Sequence, residues 1–332
     1  MKVNDETYKY YFYFIQERMS IFWKRYNGKN LPFSDDPIFQ KYKFTNVYRA
    51  QDRVSQYLIK NVIQASNSEL NEIDVLLRIL VFKVFNRIET WEYLENTIGE
   101  INLKSFDVER ISKVLTERIK NQPIFSPAYM MTGSHSKYNT YTSKHEKWLQ
   151  MIKAELIKEK KFDKIITSKS LKNVYEILLS CSFIGEFLAY QYAIDFNYSD
   201  VINFDENSFV KAGIGAIRGI KKCFGNSSKY SFEDCIQYTQ NNFKEYQTKY
   251  GYSDFIPLFG RELKLIDLQN CFCETDKYLR AKMPELIVGN KRIKQKFSQS
   301  KENLSFYFPT KWDINKKLNQ CTFKNSQELT LF

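Results

Sequence analysis

Apolar positions recur every three or four residues along most of this chain, which is the spacing of one face of an α-helix. The clearest examples lie at 8–26 and 44–63, and shorter ones follow at 73–86, 91–97 and 148–160. Few stretches alternate apolar and polar residues as a half-buried strand does. With 11 glycines and 7 prolines in 332 residues, helix-breaking residues are also scarce. The pattern therefore predicts an all-α protein.

Polar segments interrupt the helical pattern at 131–147 and after Phe224. We predict an N-terminal helical lobe at 1–150, a central core at 151–235 and a C-terminal helical lobe at 236–332. The last lobe ends in a basic tail that contains Lys291, Arg292, Lys294 and Lys296. Such a tail is expected to add salt-sensitive affinity for DNA, and a solvated charged surface is the alternative.

The formal net charge is +12, and the isoelectric point is near 9.1. A basic excess of this size favours a polyanionic partner, most often nucleic acid, although a soluble protein with a basic surface is an alternative. No run of about 18 apolar residues is present, and the first residues lack the pattern of a cleaved signal. We therefore expect a cytoplasmic protein that binds double-stranded DNA and no membrane.

Six cysteines and two histidines limit the available chemistry. Only Cys271 and Cys273 are close in sequence, and with His135 and His145 they form no zinc or iron–sulfur spacing. We expect core thiols, no metal and no cofactor. Acid–base chemistry would then fall to carboxylates.

A tight turn at Ile184-Gly185 connects two helical stretches, and Asp205 follows twenty residues after the glycine. Glycine allows close backbone approach, and the amides that begin the second helix can bind phosphate. A helix-capping turn without a ligand is the simpler alternative. Ile184 and Gly185 are therefore candidate DNA-binding residues, and Asp205 is expected to begin a further helix, where it could also act as an N-cap.

Residues 170–219 resemble the helix–hairpin–helix DNA glycosylases, in which a catalytic aspartate follows the hairpin glycine at about this distance. The resemblance implies a helix–hairpin–helix glycosylase-like fold with additional N- and C-terminal helices, and a catalytic role for Asp205. Two departures are Phe183 in place of the first hairpin glycine and Phe187 in place of the lysine of bifunctional members. The second departure implies a monofunctional enzyme that leaves an intact abasic site.

Three segments, at 34–54, 203–224 and 268–278, together resemble the α-glutamyl/putrescinyl thymine pyrophosphorylase family. One departure is Ile214, which lies where the family pattern has Gly-Pro-Gly. Members of this family are associated with modified bases in phage DNA, and some are antiviral glycosylases that release glucosylated hydroxymethylcytosine. The resemblance implies chemistry at a modified pyrimidine and does not identify the modification.

The same segments provide candidate binding residues. The predicted substrate pocket is lined by Asn46, Tyr48, Arg49, Asp52, Glu274 and Asp276. Aromatic rings expected to stack on a flipped base are those of Tyr48, Tyr129 and Tyr190. Predicted phosphate contacts come from Lys211 and Arg218, which flank Gly213 and Gly215. The alternatives are a solvated helix face or an internal salt bridge for each charged residue, and a place in the core for each aromatic residue.

Three functions are compatible with these residues. The first is a monofunctional DNA glycosylase that flips out and excises a modified pyrimidine, expected to be glucosyl-hydroxymethylcytosine, from phage DNA as antiviral defence. Asp205 would stabilise the oxocarbenium-like sugar and orient water. The others are a transferase or pyrophosphorylase that modifies thymine in DNA, and a non-catalytic DNA-binding module. The sequence has no glycine-rich nucleotide loop, which weighs against a nucleotide-driven transferase and favours the first function.

Overall fold

A computed structural model of the chain describes residues 1–64, 69–127, 131–225, 229–286, 296–297 and 306–322. Regular structure in these ranges is helical, apart from two isolated bridges that pair Tyr42 with Lys296 and Leu258 with Arg261. The prediction of an all-α protein is confirmed. The finer prediction of a glycosylase-like arrangement of the helices stays a prediction.

The described residues form fifteen α-helices. In chain order they are α1 (Asp5–Tyr26), α2 (Pro37–Lys41), α3 (Arg53–Tyr57), α4 (Glu72–Phe85), α5 (Ile88–Ile98), α6 (Val108–Ile119), α7 (Lys144–Met151), α8 (Lys161–Ile166), α9 (Leu171–Leu179), α10 (Glu186–Phe196), α11 (Ile214–Phe224), α12 (Phe232–Asn241), α13 (Phe243–Tyr250), α14 (Leu265–Lys282) and α15 (Asn315–Thr322). Two of them continue as π-helices, α3 through Leu58–Gln64 and α7 through Ile152–Lys158. Single 3₁₀ turns lie at Arg49–Gln51, Ser136–Tyr138, Pro284–Leu286 and Thr310–Trp312.

Contacts group the described residues into two compact units. The first unit takes its residues from Met1–Asp52, Val210–Phe306 and Asp313–Phe332, and the second from Arg53–Phe209 and Tyr307–Trp312. These boundaries differ from the three consecutive parts expected at 1–150, 151–235 and 236–332, and that division stays a prediction. Within the predicted basic tail, Lys291, Arg292 and Lys294 lie outside the described residues.

The centre of the first unit is α14, which packs against α1, α11 and α12. The ring of Tyr11 stacks on Phe272 with centroids 4.1 Å apart, and its hydroxyl donates to the carbonyl of Leu268 at 3.1 Å. A buried aromatic side chain contributes a large apolar area, and its polar atom needs a partner in the core. Tyr11 satisfies both requirements, so α1 and α14 are held in one register.

The core of the second unit contains α4, a helix that is buried on nearly all sides. Two of its buried residues are cations, and each has a carboxylate partner. Arg78 lies 3.0 Å from Glu95, and Lys83 lies 3.4 Å from Asp195, whose side chain is fully buried. Because an unpaired buried charge is costly, these pairs restrict how α4 can pack against α5 and α10.

The second unit contains the predicted helical hairpin. Helices α9 and α10 pack against each other and are joined by a turn in which Phe183 has a φ of +68°. This left-handed conformation favours glycine, the residue expected here in the hairpin family. Phe183 is nevertheless accommodated, because its buried ring packs on Trp148 and Tyr138 at centroid distances of 5.3 Å.

A buried carboxylate anchors the same turn. Glu155 accepts hydrogen bonds from the Ser182 amide at 3.0 Å, the Ser182 hydroxyl at 2.5 Å and the Tyr138 hydroxyl at 2.9 Å. Lys161 adds an ion pair at 3.2 Å. Burial alone would raise the pKa of Glu155, but these donors outweigh it and lower the pKa from 4.5 to about 2.

Replacing Glu155 by glutamine should lower the free energy of unfolding at pH 7 by about 2 kcal/mol, because a charged acceptor of several hydrogen bonds is lost. The folded-state pKa lies below the unfolded value, so the contribution is complete above pH 4.5 and disappears as the pH falls towards 2. Urea denaturation of both proteins across this range measures the difference. The control is Glu159→Gln, which changes a half-exposed glutamate nearby. Equal stability of Glu155→Gln and wild type at pH 7 would contradict a stabilising role for the Glu155 carboxylate.

Among the described residues, no helix is both long enough and apolar enough to cross a lipid bilayer.

Candidate functional site

Asp205 lies in the second unit and does not begin a helix, which corrects the prediction. Residues 205–208 form a turn in which the Asn207 amide donates to Asp205 Oδ1 at 3.0 Å, and the next helix begins only at Ile214. The physical reason is local: the Asp205 side chain caps a turn, and the following residues lack helical hydrogen bonds. Asp205 is exposed, and its catalytic role stays a prediction.

The turn with Asp205 is fixed by contacts on both sides. Before it, the Asn197 side chain bonds the amide and the carbonyl of Phe204 at 2.9 and 3.0 Å. After it, Glu206 accepts a hydrogen bond from the Trp312 indole at 2.9 Å. The segment Tyr307–Trp312, which comes from much later in the chain, therefore helps to position this turn.

Four of the six predicted pocket residues come together in the first unit. Asp52 accepts from the Asn46 amide at 3.0 Å, Glu274 accepts from the Thr45 amide at 3.1 Å, and the Arg49 amide donates to Asp267 at 2.9 Å. Sequence reasoning missed three further members, Arg18, Asp267 and Asn270. Arg18 donates to Asn46 Oδ1 at 2.5 Å, and Asn270 donates to the Asn46 carbonyl at 3.2 Å.

Burial changes the acid–base behaviour of this cluster. It raises the pKa of Asp52 and lowers the pKa of Arg18 to about 10, because each charged form loses hydration. Arg49 and Glu274 are also buried, at 6% and 1% exposure. The polar atoms of the cluster bond mainly to one another, so its clearest effect is to fix the segment after α2 against α14.

The other two predicted pocket residues, Tyr48 and Asp276, have partners inside the first unit, and their place in a pocket stays a prediction. Tyr48 is fully buried, and its hydroxyl donates to the Arg261 carbonyl and accepts from the Leu258 amide. Asp276 forms internal ion pairs with Lys222 at 2.9 Å and with Arg280 at 2.8 Å. Both positions match the alternatives of a core aromatic residue and an internal salt bridge. The same holds for Tyr190, which is 1% exposed, whereas Tyr129 lies outside the described residues.

Ile184 and Gly185 were the DNA-binding residues predicted in the hairpin turn, and the structure places Ile184 in the core. Its side chain is buried, and its amide donates to the Cys181 carbonyl at 3.3 Å. Gly185 is exposed at the start of α10, and no atom lies within 4 Å of the position that a Cβ would occupy there. Only Gly185 is therefore placed for an outside contact, and its binding of DNA stays a prediction.

The predicted phosphate-binding residues around α11 behave in different ways. Lys211 forms an ion pair with Glu233 at 3.6 Å, and Arg218 has no hydrogen-bond or ion-pair partner within the described part of the chain. Gly213 precedes the first turn of α11. At Gly215, a Cβ would collide with the Sγ of Cys273 on α14, so this glycine serves helix packing.

Gly219, one turn after Gly215, makes the tightest approach between α11 and α14. A Cβ there would lie under 3.0 Å from the backbone of Phe272. Gly219→Ala should therefore lower the free energy of unfolding by about 1–3 kcal/mol, because backbone atoms must move apart. Urea denaturation measures the change, and Gly185→Ala is the matched control with open space around it. A neutral Gly219→Ala would show that the two helices do not touch here.

A cavity of about 710 Å³ opens in the first unit between α1, α2 and α14. Its walls include the rings of Tyr10, Tyr13, Tyr252 and Tyr278, and its rim includes Lys9, Asp35 and Lys282. Small-molecule sites commonly have volumes of about 300–1,000 Å³, so this cavity has the size of a ligand pocket. Sequence reasoning missed these tyrosines, although Asp36-Pro37 belonged to a segment that carried the family resemblance.

One carboxylate fixes the tyrosines of this cavity. Asp36 Oδ2 accepts from the hydroxyls of Tyr13 at 3.0 Å and Tyr278 at 2.7 Å, while Oδ1 accepts from the Ile38 amide at 2.7 Å. Burial, followed by the charge of Asp36, raises the pKa of both tyrosines, so their hydroxyls stay protonated donors at neutral pH. The two rings are therefore held in a set orientation.

The rim of the cavity carries charges without partners. Asp35 is exposed and has no hydrogen-bond or ion-pair partner within the described residues. Lys9 and Lys282 form no ion pair there either, and the ammonium of Lys282 lies 5.8 Å from the ring centroid of Tyr10. Glu6, a second exposed carboxylate, also lines the cavity, and stacking surfaces beside carboxylates and available cations suit a planar, polar ligand.

Comparisons with known proteins place this chain in a family. Residues 5–287 match the family described as the helical domain of 5-hmdU DNA kinase, and the chain belongs to that family. The chain is 26% identical over 321 residues to the 5-hmdU DNA kinase of Bacillus phage SP10. The aligned region covers 90% of this chain and 49% of that protein. The chain thus spans about half the length of the curated relative that it matches. No solved structure matches it.

These findings correct the predicted function. They support an enzyme family that acts on a modified base in DNA, but not the pyrophosphorylase and glycosylase families named from the sequence. The predicted hydrolase that excises glucosyl-hydroxymethylcytosine and leaves abasic sites for antiviral defence is wrong, because the relative is a kinase and kinases transfer a phosphoryl group. The alternative of an enzyme that modifies thymine in DNA agrees better with the comparisons.

Proposed function

We propose that this chain binds DNA that carries 5-hydroxymethyl-2′-deoxyuridine and takes part in phosphorylation of the hydroxymethyl group. The observation that carries the proposal is the family match, which extends over residues 5–287 and so includes most of both compact units. The net charge of +12 supports a polyanionic substrate.

Within this activity we assign to the chain the recognition of the DNA and of the modified base. Its 332 residues contain no Gly-x-x-x-x-Gly-Lys-Ser/Thr loop, the common cradle for a nucleoside triphosphate. The phosphoryl donor would then be held by a separate nucleotide-binding part. This division of labour agrees with a chain that spans 49% of its relative.

The tyrosine-lined cavity of the first unit is the proposed receptor for the base. Enzymes that do chemistry on a base commonly turn the nucleotide out of the duplex into a pocket, and we assign this cavity to the turned-out base. The rings of Tyr10 and Tyr252 offer stacking surfaces, which contribute about 1–3 kcal/mol per base in single-strand binding proteins. Lys9 and Lys282 at the rim would then face the phosphates that flank the base.

Asp35 would distinguish the modified base from thymine. A hydroxymethyl group donates a hydrogen bond to a carboxylate, whereas the methyl group of thymine cannot. Hydrogen bonds to charged groups contribute about 1.5–3 kcal/mol, and the exposure of Asp35 places the expected gain at the lower end. The expected preference for the modified base is therefore about tenfold.

Binding to two duplexes tests the proposal. They should be identical except for one thymine replaced by 5-hydroxymethyluracil, and fluorescence anisotropy would measure both dissociation constants. We expect the modified duplex to bind about tenfold more tightly, because only its base offers a hydrogen-bond donor at the 5-substituent. Equal affinity for the two duplexes would sink the proposed recognition.

Substituting Asp35 tests how the base is read. Asp35→Ala should remove most of the preference between the two duplexes while affinity for the thymine duplex stays within about twofold, because the carboxylate contacts only the hydroxyl. The matched control is Asp254→Ala, at an exposed aspartate of the same unit that bonds Gln16. If wild type prefers the modified duplex and Asp35→Ala keeps that preference in full, the modified base is recognised outside this cavity.

A further inference from the structure

A second cavity, of about 490 Å³, lies in the second unit beside the helical hairpin. It is formed by α8, the turn that follows it and the first turns of α9, and Ser180 at the other end of α9 closes it. We call it the α8–α9 groove. None of its residues is among the candidate site residues predicted from the sequence, and its charge differs from that of the tyrosine-lined cavity.

Lysines dominate the lining of the α8–α9 groove. Lys164 and Lys169 are exposed, and the ammonium group of neither forms an ion pair or a hydrogen bond within the described part of the chain. The one carboxylate in the lining, Glu176, is already near Lys172 at 3.7 Å. Two ammonium groups are thus available to an anion without breaking an existing ion pair.

The third lysine of the groove, Lys161, is engaged in hydrogen bonds within the unit. Lys161 is only 12% exposed, and it bonds Glu155 at 3.2 Å and the Ser180 carbonyl at 3.1 Å. Since Glu155 also holds the Ser182 amide, Lys161 ties the floor of the groove to the hairpin turn. The hydrogen bonds of Lys161 and Glu155 therefore fix the floor of the groove relative to the hairpin turn that precedes Gly185.

Polar groups around the lysines suit a phosphate. The hydroxyls of Thr167 and Ser168 and the amide of Asn173 line the groove. The hydroxyls donate to carbonyls of α8 at 3.0 and 2.9 Å, which fixes the turn between the two helices. The positive end of the α9 dipole lies at the same place and adds to the attraction for an anion.

We infer that the α8–α9 groove binds backbone phosphates of DNA through Lys164 and Lys169. This inference deepens the proposed function and rests on it for the choice of DNA as the polyanion. Phosphate contacts carry no sequence or base information, so the groove would supply affinity and register while the base is read elsewhere. The contacts should be electrostatic and strongly dependent on salt.

The experiment is a salt titration of binding to an unmodified thymine duplex. Each neutralised phosphate contributes about 0.9 to the slope of the logarithm of the binding constant against the logarithm of salt concentration. The double variant Lys164→Gln/Lys169→Gln should therefore have a slope shallower by about 1.8 than wild type. If the two affinities converge near about 1 M salt, affinity in about 0.1 M salt should fall by 1.8 logarithmic units, or roughly sixtyfold.

The control is the double variant Lys113→Gln/Lys120→Gln, with Lys113 on α6 and Lys120 directly after it, which removes the same charge from exposed positions of the same unit. Its slope should equal that of wild type, and circular dichroism checks that both variants are folded. An unchanged slope for the groove variant, or an equal change in the control, would overturn the inference. So would an unchanged DNA slope accompanied by lost binding to vesicles that contain anionic phospholipid.

The outcome separates the groove from the proposed base recognition. The preference for 5-hydroxymethyluracil is a ratio of two affinities, and the groove variant should retain that ratio because both duplexes have the same phosphates. If wild type shows no preference for the modified duplex, but the groove variant has a shallower salt slope, the proposed base recognition is wrong and phosphate binding by the groove is supported. If wild type shows the preference, but the groove variant has the wild-type slope, base recognition is supported and phosphate binding by the groove is wrong.

Discussion

The first unit depends on the close approach of α11 to α14, which two glycines permit. At Gly215 and Gly219 any larger residue would collide with Cys273 or with the backbone of Phe272. A helix that approaches so closely can shift little, since protein interiors are packed as densely as crystals. The position of α14 in turn sets where Tyr278 and Lys282 stand in the tyrosine-lined cavity.

Buried carboxylates organise both units, and most of them hold the fold. Glu155 anchors the hairpin turn, while Glu274 and Asp276 form ion pairs inside the first unit. A buried carboxylate is stable only with donors or cations around it, and these must come from neighbouring segments. Charged residues that attract notice in the sequence are therefore often ones whose partners lie far away in the chain. Asp35 differs, because it is exposed at a cavity and has no partner among the described residues.

The presence of Asp205 did not identify the type of reaction. A carboxylate at a fixed distance from a hairpin glycine is compatible with a glycosylase, but the same side chain also caps a turn, and here it does so. The basic charge favoured a polyanionic partner, which agrees with membership of a DNA kinase family, because net charge acts at long range and does not depend on which residues carry it. The comparison with a DNA kinase family, and not Asp205, is what argued against removal of a modified base.

The helical class, the hairpin of α9 and α10 and the unusual place of Phe183 could be predicted without coordinates, because these features depend on residues close in the chain. The sequence also drew attention to Asn46, Asp52 and Glu274, which do meet. The tyrosine-lined cavity required the tertiary structure, since Tyr10, Asp35, Tyr252 and Tyr278 come from four separate segments. The same is true of the tie between Lys161 and Ser180 beneath the α8–α9 groove. Periodicity reports which face of a helix is buried, but it does not report which helix covers that face, and so it cannot show where a cavity is left.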